Sequence, residues 1–408
     1  MKRNSFIIKT QNSFFLSKTY LYYAIIIVIL LKPAIIEDIL FLDTLFNAFR
    51  VIVSICYIIK MVLFNKKIKK DWMIIASLFL IVLFSTIISH GNISKPIAHF
   101  LPGMGLIAFI LADKNATYNK ISAIVNTGII LLVLNFLTVV LYPEGLVYRV
   151  TNPELKIWIL GQKQELGGFL IPLIFCGLAL NYFDAYWRKK VICIVCLGVL
   201  TLILEQPIGA LVCVILFVLL LFMDKYIIKI NKSLLIIGII MIFIGFQYIC
   251  FNFDDLYYIQ NALGKINTRG LSKVRTLNIR FSMWQFAWQC IFNHPLIGIG
   301  NLSVKEWIRL SNLQYISVLD NLYLDILFTG GLFSFALFIW LIKRCFNTFI
   351  RLWNERKIRY MGYCIFVLCV LFMEGSQYVP LVFLVLSVNC WFRNLYNQAN
   401  DMTGVLRK

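Results

Sequence analysis

Charge is scarce in this sequence: only 14% of its 408 residues are Asp, Glu, Lys or Arg, against about 25% in soluble domains. The shortage falls on one sign, with 19 Asp and Glu facing 39 Lys and Arg. Apolar residues fill 61% of positions, and the mean hydropathy is +0.83. No water-soluble fold of this size hides so much apolar surface, so lipid is the solvent for most of the chain. A bilayer span takes about 20 apolar residues, which leaves material for about twelve. Catalytic signatures are missing too. The chain has no Walker loop, HExxH or GxSxG motif, and no soluble stretch large enough to bind a nucleotide sugar. Cys193 and Cys196 form a lone CxxC without a second pair or a His cluster, so no metal site is expected. The other Cys in or beside apolar runs read as small hydrophobes.

The expected fold is all-α and polytopic. Apolar runs fall at 20–36, 45–64, 72–89, 97–112, 121–142, 167–183, 191–204, 207–223, 233–251, 320–342, 360–375 and 376–392. Glu205-Gln206-Pro207 divides 191–223, and Gly375 to Pro380 divides 360–392; each pair could instead be one long helix with a re-entrant break. The basic N-terminal stretch, with Lys2, Arg3, Lys9 and Lys18, lacks a small-residue cleavage site and reads as the flank of an uncleaved first span. Alternate loops carry most of the Lys and Arg, including Lys66-Lys67-Ile68-Lys69-Lys70, Arg188-Lys189-Lys190 and six cations in 343–359. By the positive-inside rule those loops and both termini are cytoplasmic, in a bacterial plasma membrane. The formal charge of +20 therefore sits almost wholly on cytoplasmic loops. It is a topology signal, and nucleic acid drops out as a partner.

This layout divides the chain into spans one to nine (1–251), an extracytoplasmic cap loop (252–319), and the last three spans with a cytoplasmic tail (320–408). A 68-residue connection is long for a compact protein and its Trp, Phe and Tyr argue for a folded cap. Ser272 to Phe292 reads as an amphipathic helix, with Ile279, Met283, Phe286 and Cys290 on one face and Arg280, Trp284 and Trp288 on another. Arg269, Lys273 and Arg275 gather beside Arg280 with no acid among them. Arg offers a planar fork of donors to phosphate oxygens, and Trp stacks on sugars or lies at headgroup level. A polyprenyl pyrophosphate carrying a glycan would meet both features; lipid headgroups alone would also satisfy the cations. Pro295 stops the helix, and Gly298 and Gly300 permit a close turn, with His294 a helix-end residue or a ligand. In Asp320-Asn321-Leu322-Tyr323-Leu324-Asp325, Asp320 serves as a helix N-cap or as a proton acceptor, and Asp325 lies deeper, facing a polar cavity or a partner. Glu205, Glu374, Lys32 and Arg50 are charges at or within spans, for which structural pairing is expected.

These residues carry a resemblance. Arg280-(x)3-Trp284-(x)10-Pro295-Leu296-Ile297-Gly298-Ile299-Gly300, followed by Asp320-Asn321-(x)-Tyr323-Leu324 and Gly330-Gly331, resembles the C-terminal signature of bacterial O-antigen and capsular polysaccharide polymerases and O-antigen ligases. The resemblance implies a glycosyltransferase that moves a growing glycan from undecaprenyl pyrophosphate to another lipid-linked repeat unit, without metal, nucleotide or other cofactor. Flippase and chain-length regulator proteins are the partners it implies. Arg280 would hold the pyrophosphate, and Trp284, Gly298, Gly300, Asn321 and Tyr323 would line the substrate site. Ligases commonly have His where this chain has Asp320, which favours a polymerase and leaves Asp320 to accept the acceptor proton or merely orient the hydroxyl. Relatives often place Ser-Arg in the turn where this chain has Glu205-Gln206-Pro207, so Lys163 is the candidate for a second phosphate-binding cation. A ligase with a different acceptor is the nearest alternative. A lipid-linked oligosaccharide flippase is another, although transporters tend to show two related halves and none is visible here.

Overall fold

A computed structural model describes residues 18–64, 68–148, 156–162, 165–228, 241, 245, 268–311, 319–373, 375 and 379–405. The protein is helical almost throughout. Helices α1 (Lys18–Leu31), α2 (Leu40–Phe64), α3 (Lys70–Ile88), α4 (Ser94–Leu111), α5 (Thr117–Leu141), α6 (Glu165–Phe183), α7 (Trp187–Glu205) and α8 (Ile208–Phe222) precede the cap. The segment expected to form the cap contains α9 (Thr268–Asn293) and α10 (Val304–Ser311), and then come α11 (Leu322–Arg351), α12 (Arg356–Leu371), α13 (Pro380–Leu386) and α14 (Val388–Val405).

Among the described residues, six helices are long and apolar enough to cross a membrane: α2, α3, α4, α5 with the turn before it, α6 and α11. This is an integral membrane protein. Two further apolar helices, α1 and most of α8, are shorter. The expected run at 191–204 is α7, whose 19 residues carry three cations at one end and Glu205 at the other. The run at 233–251 lies almost wholly outside the described residues, and the final run is not one helix: α13 ends at Ser387 and α14 resumes at Val388. Lipid exposure follows composition. In α2 only 17% of the apolar window is buried and Phe41, Phe49 and Phe64 stand outward, whereas α6 is 83% buried and packs against α5, α7, α8 and α12.

Loops alternate between two ends of the bundle. At one end Asp224, just after α8, accepts from Arg359 Nε and Nη2 at 2.8 and 2.7 Å and from the Tyr363 hydroxyl at 2.9 Å. Burial alone would raise the Asp224 carboxyl, but the Arg359 and Tyr363 hydrogen bonds outweigh it and hold the group below its ordinary value. The other end carries the cap. There the long 142–164 connection forms a feature absent from the sequence expectation, a three-stranded antiparallel sheet of β1 (Val147–Tyr148), β2 (Lys156–Trp158) and β3 (Gly161–Gln162). Trp158 is buried and donates to the Tyr142 carbonyl at 2.9 Å, while Ala34 donates to Ile159 at 2.9 Å and ties the α1–α2 connection to the sheet.

The tenth expected span is the element that departs most from a simple rod. Gly331 sits inside α11 with φ +64° and ψ −166°, which breaks the helix into an arm (322–330) and a longer segment. The bend is sharp. The rings of Tyr323 and Phe338, which a straight helix would hold about 22 Å apart, lie 5.9 Å apart. The 19 residues from Leu332 to Ile350 are still enough to cross the hydrocarbon, at about 28 Å. The arm is a separate piece folded back against them, and its first amide, Leu322, donates to the Phe372 carbonyl at 2.8 Å.

Candidate active site

Helix α9 begins at Thr268 and runs until Pro295 removes a donor, within a few residues of the expected 272–292. Its buried face is Met283, Ala287 and Ile291, with Trp284 beside them; these pack on Leu302, Trp307, Leu319, Leu324 and Phe328. Phe286 and Cys290, expected at the centre of that face, are half-buried at its edge. The chain then turns through 294–303 into α10. A Ser303–Glu306 capping box closes the start of α10, with Ser303 N–H donating to Glu306 at 3.0 Å and Glu306 N–H to Ser303 Oγ at 3.3 Å.

The turn 295–300 docks on the break in α11 through four backbone hydrogen bonds. Ile299 donates to Phe328 (2.8 Å), Gly300 to Thr329 (3.1 Å), Leu332 to Pro295 (2.8 Å) and Phe333 to Leu296 (3.3 Å). Because Gly331 interrupts the i to i−4 ladder, groups that a continuous helix would consume internally are free to bond the turn. Gly298 and Gly300 have φ of +70° and +74° and no room for a side chain: a Cβ would come within 2.5 Å of the Phe328 oxygen and the Thr86 Cα respectively. Their smallness serves this contact between backbones. On the far side Asn301 donates to Thr86 Oγ1 at 2.9 Å, and Asn92 donates to the Asn301 carbonyl at 2.7 Å, which fastens the turn to the α3–α4 connection.

This scaffold brings Arg280 and Asp320 together. Arg280 Nε donates to Asp320 Oδ2 at 3.1 Å, and their side chains keep 12% and 25% of their exposure. Burial pushes the Asp320 carboxyl up from its ordinary value, and the Arg280 charge and hydrogen bond pull against that rise. Asp320 is not the cap of α11. That role belongs to Asn321, whose Oδ1 accepts from the Leu324 amide at 3.2 Å. Asn321 is buried, and among the described residues its Nδ2 meets no acceptor.

The remaining expected site residues are distributed differently. Trp284 is 5% exposed and its indole N–H donates to the Leu319 carbonyl at 2.6 Å, so it fixes the backbone at the residue before Asp320 and presents no open face for a sugar. Tyr323 is buried too, its hydroxyl donating to the Cys369 carbonyl at 3.0 Å. The side chains of Arg269, Lys273 and Arg275, and the whole of Lys163, lie outside the described residues. Two participants were not singled out from sequence. Lys95, near the start of α4, donates to the Leu302 carbonyl at 3.3 Å and feels the charge of Asp325; its only sequence signal is being a lone cation before a span. Thr86 carried no signal at all. Among the described residues, no three His, Cys, Asp or Glu side chains gather as a metal set.

Residues 191–339 match the family model described as O-antigen ligase. The matched stretch begins in α7 and ends in α11, so it holds the amphipathic helix, the docked turn, the Arg280–Asp320 pair and the break at Gly331. No curated protein matches the chain significantly.

Proposed function

We propose that this member of the O-antigen ligase/polymerase superfamily is a polysaccharide polymerase, transferring a growing glycan from undecaprenyl pyrophosphate to a second lipid-linked repeat unit at the outer face of the cytoplasmic membrane. The carrying observation is the partly exposed Arg280–Asp320 contact at 3.1 Å, built from two elements 40 residues apart at the cap end. Resting, the two charges balance. A donor pyrophosphate competes for the Arg280 fork, and its phosphate oxygens are better matched to a guanidinium than one carboxylate edge. Asp320 then loses the cation that held its affinity for protons down, so a base becomes available when the donor is seated. The acceptor hydroxyl oxygen bonds to the anomeric carbon of the donor glycan as the bond from that carbon to the pyrophosphate oxygen breaks. Undecaprenyl pyrophosphate leaves with the bonding electrons, its charge met by Arg280, and the hydroxyl proton passes to Asp320.

The family description names a ligase, and that is the second reading: the same donor chemistry with a different acceptor. Asp320, in the place where ligases commonly carry His, favours the polymerase. Capsule, exopolysaccharide and O-antigen repeat units all fit this chemistry, and the enzyme would work beside a flippase and a chain-length regulator. Deletion of the gene followed by sizing of the surface glycan tests the reading. Single repeat units at the surface identify a lost polymerase. Full-length glycan left on the lipid carrier identifies a lost ligase, and units confined to the cytoplasmic side identify a lost flippase.

A further inference from the structure

Asp320 is held in an unusual backbone conformation. Its φ is +45°, in the left-handed region, which few residues with a side chain adopt and which Asp enters more readily than most. Such a conformation persists where its surroundings over-determine it, and here three contacts do so. Upstream, the Trp284 indole N–H grips the Leu319 carbonyl at 2.6 Å. Downstream, the Asn321 side chain caps the arm at Leu324, and the Leu322 amide bonds Phe372 at 2.8 Å. Between these clamps the Asp320 carboxylate faces Arg280. Trp284 and Arg280 lie one turn apart on α9, so a single helix face sets both the backbone before Asp320 and the cation opposite its side chain.

From this we infer that Trp284 is a positioning residue of the transfer reaction: its indole N–H, through the Leu319 carbonyl, fixes the left-handed turn that aims the Asp320 carboxylate. The inference rests on the proposed role of Asp320 as proton acceptor. It predicts a specific division of effects. The Trp284 indole N–H is spent on the Leu319 carbonyl, one residue before Asp320, so its loss is expected to misplace the base while the Arg280 guanidinium keeps its charge for the donor. A base displaced by about 1 Å costs up to about 100-fold in turnover.

The test uses the full-length protein reconstituted in lipid nanodiscs, with native lipid-linked repeat units extracted from cells lacking the gene. Trp284→Phe removes the donor, and incorporation of benzothienylalanine at position 284 replaces the N–H by sulfur while keeping the ring volume, which decides the matter if the Phe variant misfolds. The expected result is a fall in kcat of at least about tenfold, with KM and thermal midpoint close to wild type. Unchanged kcat, or a loss of activity that tracks a loss of thermal stability, overturns the positioning role. Asp320→Asn is measured alongside. Inactivity of that variant with full activity of the position-284 variants sinks only the Trp284 inference, whereas normal turnover of Asp320→Asn removes the base itself and both readings with it.

Discussion

Replacing Gly331 by Ala is the sharpest perturbation the fold offers. Its φ of +64° with ψ of −166° falls in a region open essentially to Gly alone, and forcing a residue with a Cβ into it costs about 1–3 kcal/mol. Space is lacking as well. The new Cβ would lie 2.3 Å from the Leu296 oxygen, 2.4 Å from its carbonyl carbon and 2.5 Å from the Ile297 nitrogen, all backbone atoms that cannot swing aside. Overpacking of this kind adds about 1–3 kcal/mol. Relief requires the 295–300 turn to lift off the break, which strips hydrogen bonds worth about 0.5–1.5 kcal/mol each. The total, about 2–6 kcal/mol, is comparable with the whole stability of many domains. Because the turn, α9 and the arm form one packed unit, displacement of the turn also separates Arg280 from Asp320. We therefore expect Gly331→Ala to lower the thermal midpoint of the detergent-solubilised protein by several degrees and to abolish long polymer in a complemented deletion strain. Gly245→Ala, where a Cβ meets nothing within 4 Å among the described residues, is the control and should be silent. Wild-type polymer length together with an unchanged midpoint in Gly331→Ala would refute the backbone-docking argument.

Arg280→Ala should abolish polymer while the protein still inserts in the membrane, since a charge-assisted contact is worth roughly 1.5–3 kcal/mol; glycan ladders and immunoblots of the same cells read both. The pH profile of turnover should fall on the acid side with an apparent pKa above the ordinary carboxylate value of about 3.9, because burial raises Asp320 more than Arg280 lowers it and the base acts only when deprotonated; a limb at or below the ordinary value speaks against Asp320. At the opposite end, Arg359→Leu leaves the buried Asp224 carboxylate with only Tyr363 and the more exposed Arg356 at 3.6 Å and should destabilise by up to about 3–5 kcal/mol, read by fluorescence-detected thermal unfolding. The pH sign there is reversed: Asp224 is held low, so its contribution is present above the unfolded value of about 3.9 and is lost as pH falls through the depressed one. Reporter fusions active only outside the cytoplasm should be active after Glu144 and silent after Asn354, and the opposite pattern would invert the topology.

How much of this was legible beforehand depends on whether the signal was local. The amphipathic pattern of α9, its stop at Pro295 and the span-like runs that became α2 to α6 are local, and periodicity with punctuation sufficed. The register at the start of α11 was not. Asp and Asn are both good caps, and Asp320-Asn321 offers them in adjacent positions; only the tertiary clamp on Leu319 and Leu322 puts the cap on Asn321 and turns Asp320 toward Arg280. The break at Gly331 left a trace in the Gly330-Gly331 pair. The fold-back itself left none, because both halves of α11 are apolar and a hydropathy count reads them as one span. Trp284 misled in an instructive way: its place on the Arg280 stripe was read as a sugar-stacking ring, whereas the stripe borders the buried face and the indole turns inward.

The placement of the pair explains why the chain tolerates an acid there at all. The segments expected to face outward carry as many acids as cations, so local pairing and not net field decides which charge is available. Asp325 lies on the short arm that follows Asp320, and its charge acts on Lys95 from α4, while Asp320 is in direct contact with Arg280 from α9. An anionic headgroup that draws Arg280 away leaves the Asp320 carboxylate in a partly buried setting without that cation. Such a carboxylate binds protons more readily than a solvated one. Under the proposed function this is what couples donor binding to base strength, and it makes a specific demand: Arg280→Lys, which keeps the charge but loses the planar fork, should retain some pairing with Asp320 yet hold pyrophosphate less well. The variant should show a raised KM for the lipid-linked donor with a smaller loss in kcat, measured on the reconstituted protein. A pure kcat defect in Arg280→Lys would place Arg280 on the base alone and remove it from the donor headgroup.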